Sequence, residues 1–112
     1  MTDELPIACS LDAGDLHQRM ADIAALGRDA LMGTVTGMSQ AQLRFAPRRG
    51  IHERVAAIVA AEARCCAFLS MTVAEEPDAI VLSIDAPADA GRVLAELVEA
   101  FDRGRARRTA RS

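Results

Sequence analysis

Two apolar periodicities alternate along this chain, and any fold it adopts must satisfy both. One repeats every three or four residues, the spacing of a helix face. It carries Leu16, Met20, Ile23, Gly27 and Leu31, then Ile51, Val55, Ile58 and Val59, then Ala90, Leu94, Leu97, Val98 and Phe101. The other repeats every second residue, the pleat of a strand with one wet face. It carries Ala41, Leu43 and Phe45, then Leu69, Met71 and Val73, then Ile80, Leu82 and Ile84. A helix stripe and a strand face must each be buried against something, and the two-layer solution packs helices on one face of a sheet.

The punctuation sets the boundaries. The first stripe predicts a helix from Ser10 or Asp12 to about Met32, closed by Gly33. Residues 34–40 read as a loop. Pro47 stops the strand that follows, and Arg48-Arg49-Gly50 makes a turn. A second helix is predicted from Ile51 to Ala67. Glu75-Glu76-Pro77-Asp78 turns one strand into the next, which predicts a β-hairpin. Pro87 opens a third helix as a first-turn residue. Residues 5–9 read as a short first strand, with Pro6 favouring an edge position. The predicted order is β-α-β-α-β-β-α. The fold class is α+β: a two-layer sandwich with a mostly antiparallel sheet of three to four strands and helices on one face. At 112 residues the chain suits one domain. That domain is read as residues 1–102, and the Arg-rich stretch 103–112 as a disordered tail.

Composition narrows the function classes. Hydrophobic residues make up 51% of the chain and charged residues 26%, as expected of a globular domain with an ordinary core. There is no Trp or Tyr and there are three Phe, which argues against a base-stacking platform for nucleic acid. Arg103, Arg105, Arg107, Arg108 and Arg111 crowd the last ten residues. They lie beside no recognition helix with base-reading side chains, which reads as a solvated tail rather than a nucleic-acid contact. No stretch reaches the ~20 apolar residues of a membrane span. The start, Met1-Thr2-Asp3-Glu4, is acidic, unlike a secretory signal, so a cytoplasmic setting is expected.

In that setting thiols stay reduced, and clustered cysteines point to metal or catalysis more than to a structural bridge. The cluster here is Glu62-Ala63-Arg64-Cys65-Cys66, at the predicted end of the second helix. Counting from Val55 and Ile58, Glu62 falls on the apolar face. A carboxylate buried there needs a partner or a purpose. The remaining cysteine, Cys9, lies near the N-terminus. Three thiolates would select a soft ion: Hg(II), As(III), Cu(I), or Zn(II) with a fourth ligand. Glu62 is placed to accept hydrogen bonds behind the sulfurs, to supply that fourth ligand, or to donate a proton. His17 and His52 read as surface or capping residues at the starts of their helices.

The runs Ile7-Ala8-Cys9-Ser10-Leu11, Leu43-Arg44-Phe45, Glu62-Ala63-Arg64-Cys65-Cys66-Ala67-Phe68 and Ile84-Asp85-Ala86-Pro87 carry a family likeness. The chain resembles small bacterial proteins with a Cys…Glu-x-[Lys/Arg]-Cys-Cys-x-Phe signature. It is also similar to C-terminal segments of some MerR-type heavy-metal regulators. The likeness implies that Cys9, Glu62, Cys65 and Cys66 act together at a thiophilic-metal site, in heavy-metal resistance or handling. The winged-helix segment by which such regulators read DNA has no counterpart here.

Three readings follow. The first is capture of a soft metal or metalloid by Cys9, Cys65 and Cys66, with Glu62 tuning protonation. The second is a thiol-dependent enzyme, redox or organometal-cleaving, that uses Cys65 or Cys66 with Cys9 and Glu62. The third is an interaction module whose cysteines pack in the core and whose helices form a homodimer.

Overall fold

The computed structural model describes residues 13–65 and 68–111, and within them the side chains other than those of residues 13–16, 65 and 107–111. Among these residues the elements run α1 (Ala13–Ala30), β1 (Leu31–Thr36), β2 (Gln40–Phe45), α2 (Ile51–Cys65), β3 (Ser70–Glu76), β4 (Ala79–Asp85) and α3 (Gly91–Arg111). A single 3-10 turn at Ala88–Ala90 leads into α3. No helix among them is long and apolar enough to cross a membrane. The proposed strand at residues 5–9 lies outside the described residues.

The four strands form one antiparallel sheet in the order β1-β2-β4-β3. Two hairpins, β1–β2 and β3–β4, join through the central pairing of β2 with β4. The alternation read from the sequence fixes which face is covered. Ala41, Leu43 and Phe45 of β2 and Ile80, Leu82 and Ile84 of β4 are buried, while Gln40 and Gln42, which alternate with the buried β2 residues, are exposed. Register sets Leu43 beside Leu82 and Phe45 beside Ile80. The covering layer brings Ile23 and Leu26 from α1, Val55 and Ile58 from α2, and Leu94, Leu97, Val98 and Phe101 from α3. Phe45 and Phe101 meet edge to face with centroids 5.6 Å apart, the arrangement the ring quadrupoles favour. The fold is therefore the α+β two-layer sandwich anticipated, with four strands.

Two boundaries differ from the sequence reading. Helix α1 stops at Ala30, not near Met32, and residues 31–36 form β1 where the end of a helix and a loop were expected. The carbonyls at the end of α1 are satisfied from far along the chain. The Ala46 amide donates to the Ala30 carbonyl at 2.8 Å, and the Arg48 guanidinium donates to the Asp29 carbonyl. Gly33 is thus not the helix terminator; it lies within β1. A register shift between Leu31 and Gly33 breaks the alternation that would have marked this strand.

At the other end, α3 continues to Arg111 rather than ending at Asp102. The residues that follow Asp102 thus continue the helix. Arg103 pairs with Glu99 one turn back at 3.3 Å, and Arg105 with Asp102 at 3.2 Å. Cations near a helix C-terminus also oppose its dipole. Arg105 donates in addition to the Met32 carbonyl at 3.1 Å, which fastens this part of α3 to the start of β1.

Candidate functional site

Gly50 begins the site. It holds φ at +84°, a conformation that side chains disfavour, and turns the chain from β2 into α2. From there the stripe Ile51, Val55 and Ile58 faces the core. Continuing that spacing by one turn brings Glu62 to the same face, and its residue exposure is 3%. The carboxylate is not alone there. Arg19 of α1, exposed by 8%, sets its Nε 2.6 Å from Glu62 Oε2. The two charges form a buried ion pair between α1 and α2. Taking both out of water costs several kcal/mol per ion. Their mutual attraction is what makes that burial tolerable.

A second bridge joins the same helices further along. Arg54 Nη1 donates to Asp29 Oδ2 at 3.0 Å. The Arg28 guanidinium beside Asp29 draws its carboxyl below the ordinary value, burial opposes this, and Arg54 adds to the lowering. Arg19 opposite Glu62 and Asp29 opposite Arg54 mean that α1 and α2 run antiparallel. The end of α2, at Cys65, therefore lies beside the first turns of α1. Between the bridges runs a groove of about 310 Å³, walled by Arg19, Asp22 and Arg54 over Ala25, Ala57 and Ile58.

The sequence-derived candidates fall as follows. Glu62 is buried on the apolar face, as its spacing required. Cys65 closes α2, with its side chain outside the described set. Cys9 and Cys66 lie outside the described residues. His52 sits at the opposite end of α2 from Cys65, with Nε2 3.6 Å from Glu75 Oε2. His17 is exposed and borders a different groove, between α1 and α3, with Met20, Arg28 and Arg103. Among the described residues no group of three or more His, Cys, Asp and Glu side chains is arranged to hold a metal ion.

Arg19 is the residue that sequence reasoning missed. The signal was present: Arg19 stands three residues after Leu16 and four before Ile23, on the apolar stripe of α1. A lone cation on one helix's apolar face and a lone acid on another's are a pair to be matched. No family model, characterised protein or solved structure matches this chain, so the functional reading rests on these residues.

Proposed function

We propose that this protein captures a soft metal or metalloid ion through Cys9, Cys65 and Cys66 in a reducing, cytoplasmic setting. Thiolates are the ligands that select Hg(II), As(III), Cu(I) or Zn(II) over harder ions. The observation that carries the reading is the buried Glu62, which lies one helical turn before adjacent cysteines and points at α1. Charge is placed in an interior at a cost, and here it precedes the chain's two adjacent cysteines by three and four residues in sequence. The antiparallel course of α1 and α2 adds a second support. It brings the end of α2 beside the first turns of α1, and Cys9 lies only four residues before Ala13. Four residues span at most about 14 Å, which is short enough for the proposed meeting of Cys9 with the end of α2.

Thiolate catalysis is less favoured. The C-terminal end of a helix opposes negative charge, and α2 ends at Cys65.

The test is metal titration of the reduced protein, followed by sulfur-to-metal charge-transfer absorption. Sub-micromolar binding of at least one of the four ions is expected. Each of Cys9→Ser, Cys65→Ser and Cys66→Ser should weaken it. An absence of such binding for all four ions discards the proposal.

A further inference from the structure

Among the described residues β1 and β3 are the two edges of the sheet, and they differ in how they are guarded. A sheet edge offers backbone donors and acceptors to any strand that meets it, and charged side chains are a common guard. Strand β3 ends in exposed Glu75 and Glu76. The chain carries no charged residue from Ala30 through Leu43, a stretch that contains all of β1. Apolar side chains are exposed there as well. The exposed large hydrophobic residues among those described are Met32, Val35 and Met38, at 47%, 70% and 94%, and all three lie on β1 or the turn after it. Apolar residues scattered singly over a surface need no explanation, but a group on an unguarded edge does.

The sequence of this edge says what meets it. Met32-Gly33-Thr34-Val35-Thr36-Gly37-Met38 reads the same in both directions. Across a two-fold axis at Val35, an antiparallel copy sets valine against valine, threonine against threonine, glycine against glycine and methionine against methionine. Self-complementarity of this kind is what a two-fold interface requires, and threonine pairs and apolar pairs facing each other across strands are favourable. The helix above the edge adds charge complementarity. A Cβ on Gly91, at the start of α3, would meet the Met38 carbonyl, and further along Arg105 donates to the Met32 carbonyl, so α3 runs opposite to β1. Asp89, Glu96 and Glu99, with Arg92 among them, lie toward the Met38 end, while Arg103, Arg105, Arg107, Arg108 and Arg111 follow Asp102. The two-fold axis reverses one copy against the other. The Arg-rich end of each α3 is thereby directed toward the acidic start of the other, on the same side of the joined sheet.

We infer that β1 is a homodimerisation edge: two copies of this chain pair antiparallel about Val35, and their sheets join into one of eight strands. The inference does not depend on the three-cysteine reading, which concerns the end of α2, a helix that packs against β3 at the other edge.

The experiment is sedimentation equilibrium of the full-length protein from micromolar to millimolar concentration. Reductant and chelator are present throughout, so that neither disulfides nor metal ions join the copies. A monomer–dimer equilibrium is expected, weakened by added salt because the α3 charges oppose each other across the axis. Val35→Lys should weaken association about tenfold or more, since it puts two like charges opposite each other on a strand edge. Thr72→Lys, on exposed β3, should leave association unchanged. Both positions are exposed, and circular dichroism of each variant checks that the fold is kept. Should Val35→Lys fail to fold, Met38→Glu at the exposed turn takes its place, with the same weakening expected. A protein that stays monomeric over the whole range overturns the inference. So does a dimer that folded Val35→Lys leaves as tight as before, one that Thr72→Lys weakens equally, or one that salt does not weaken.

Discussion

Helix α1 meets α3 through small residues and backbone, and meets α2 through two ion pairs. On the α3 side, a Cβ added to Gly27 would run into the Phe101 carbonyl, and one added to Gly104 into the Ala24 carbonyl and the Arg28 amide. The two helices are as close as their backbones permit. Around that contact lie Ile23, Leu26, Ala30, Leu97, Val98, Ala100 and Phe101, all buried. On the α2 side, Arg19–Glu62 and Asp29–Arg54 bracket a groove with an alanine-rich wall. At the Gly27 and Gly104 crossings the first interface has no room for a further atom, and close packing of this kind is how a small core gains stability. The second gives up apolar burial for charge. A well-packed hydrophobic pair at positions 19 and 62 would hold the helices at least as well. The polar choice on the α1–α2 side is the feature on which the proposed function draws.

Breaking the α2 side at one partner should have the largest effect. Glu62→Leu takes the Glu62 carboxylate away from buried Arg19, and Arg19→Met takes the guanidinium away from buried Glu62. Each should lower unfolding free energy by about 3–5 kcal/mol. The double variant Arg19→Met/Glu62→Leu should recover most of that loss, because neither charge remains to be desolvated. Urea denaturation of the four proteins measures the coupling. Additive losses in the double variant would show that the two side chains do not depend on each other. The double variant would also keep the fold while removing the acid that precedes Cys65 by three residues.

The α3 side breaks by volume instead of charge. Gly104→Ala must push α1 and α3 apart, because the obstructing atoms are backbone and cannot rotate away. A loss of about 3 kcal/mol is expected, at the upper end for an overpacked core. Gly33→Ala is the matched control, since nothing lies within 4 Å of the added Cβ. Its stability should stay level or rise slightly, as alanine loses less backbone freedom than glycine in a strand. A Gly104→Ala protein as stable as Gly33→Ala would mean that the helices have room to spare.

The same contrast explains what could be read from the sequence. The α3-side core was legible because apolar periodicity is local: Leu94, Leu97, Val98 and Phe101 announce their face by spacing alone. So were β2 and β4, whose alternation is unbroken. Strand β1 was not, because the shift at Leu31/Gly33 destroys the period and Gly33 imitates a helix terminator. The true end of α1 is set by Ala46 and Arg48, residues with no local signature as caps. At the site, the burial of Glu62 followed from counting turns along α2, but its partner did not. Arg19 belongs to another helix, and only tertiary packing decides which of thirteen arginines answers one acid. The length of α3 was misjudged for a related reason. Apolar periodicity stops at Phe101, whereas ion pairs and the Gly104 contact sustain the helix beyond it.

The smallest effect concerns the outer of the two bridges, and it separates that bridge from the inner one by pH. Asp29 titrates below its ordinary value in the folded protein, chiefly through the Arg28 hydrogen bond and secondarily through Arg54. A carboxyl whose folded value lies below its unfolded value stabilises the fold when ionised. That contribution is fully present above the unfolded value of about 3.9 and disappears as pH falls through the folded value. Asp29 and both its arginine partners are more than a third exposed, so solvent screens the interaction and the contribution is slight. The urea midpoint of the unsubstituted protein should therefore fall slightly more between pH 7 and pH 3 than that of Asp29→Asn, and added salt should shrink the difference. An Asp29→Asn protein with the same acid sensitivity would show that Asp29–Arg54 does not help to hold α1 against α2. The register of the two helices, and with it the approach of α2's end to α1's first turns, would then depend on Arg19–Glu62 and the apolar contacts of α2.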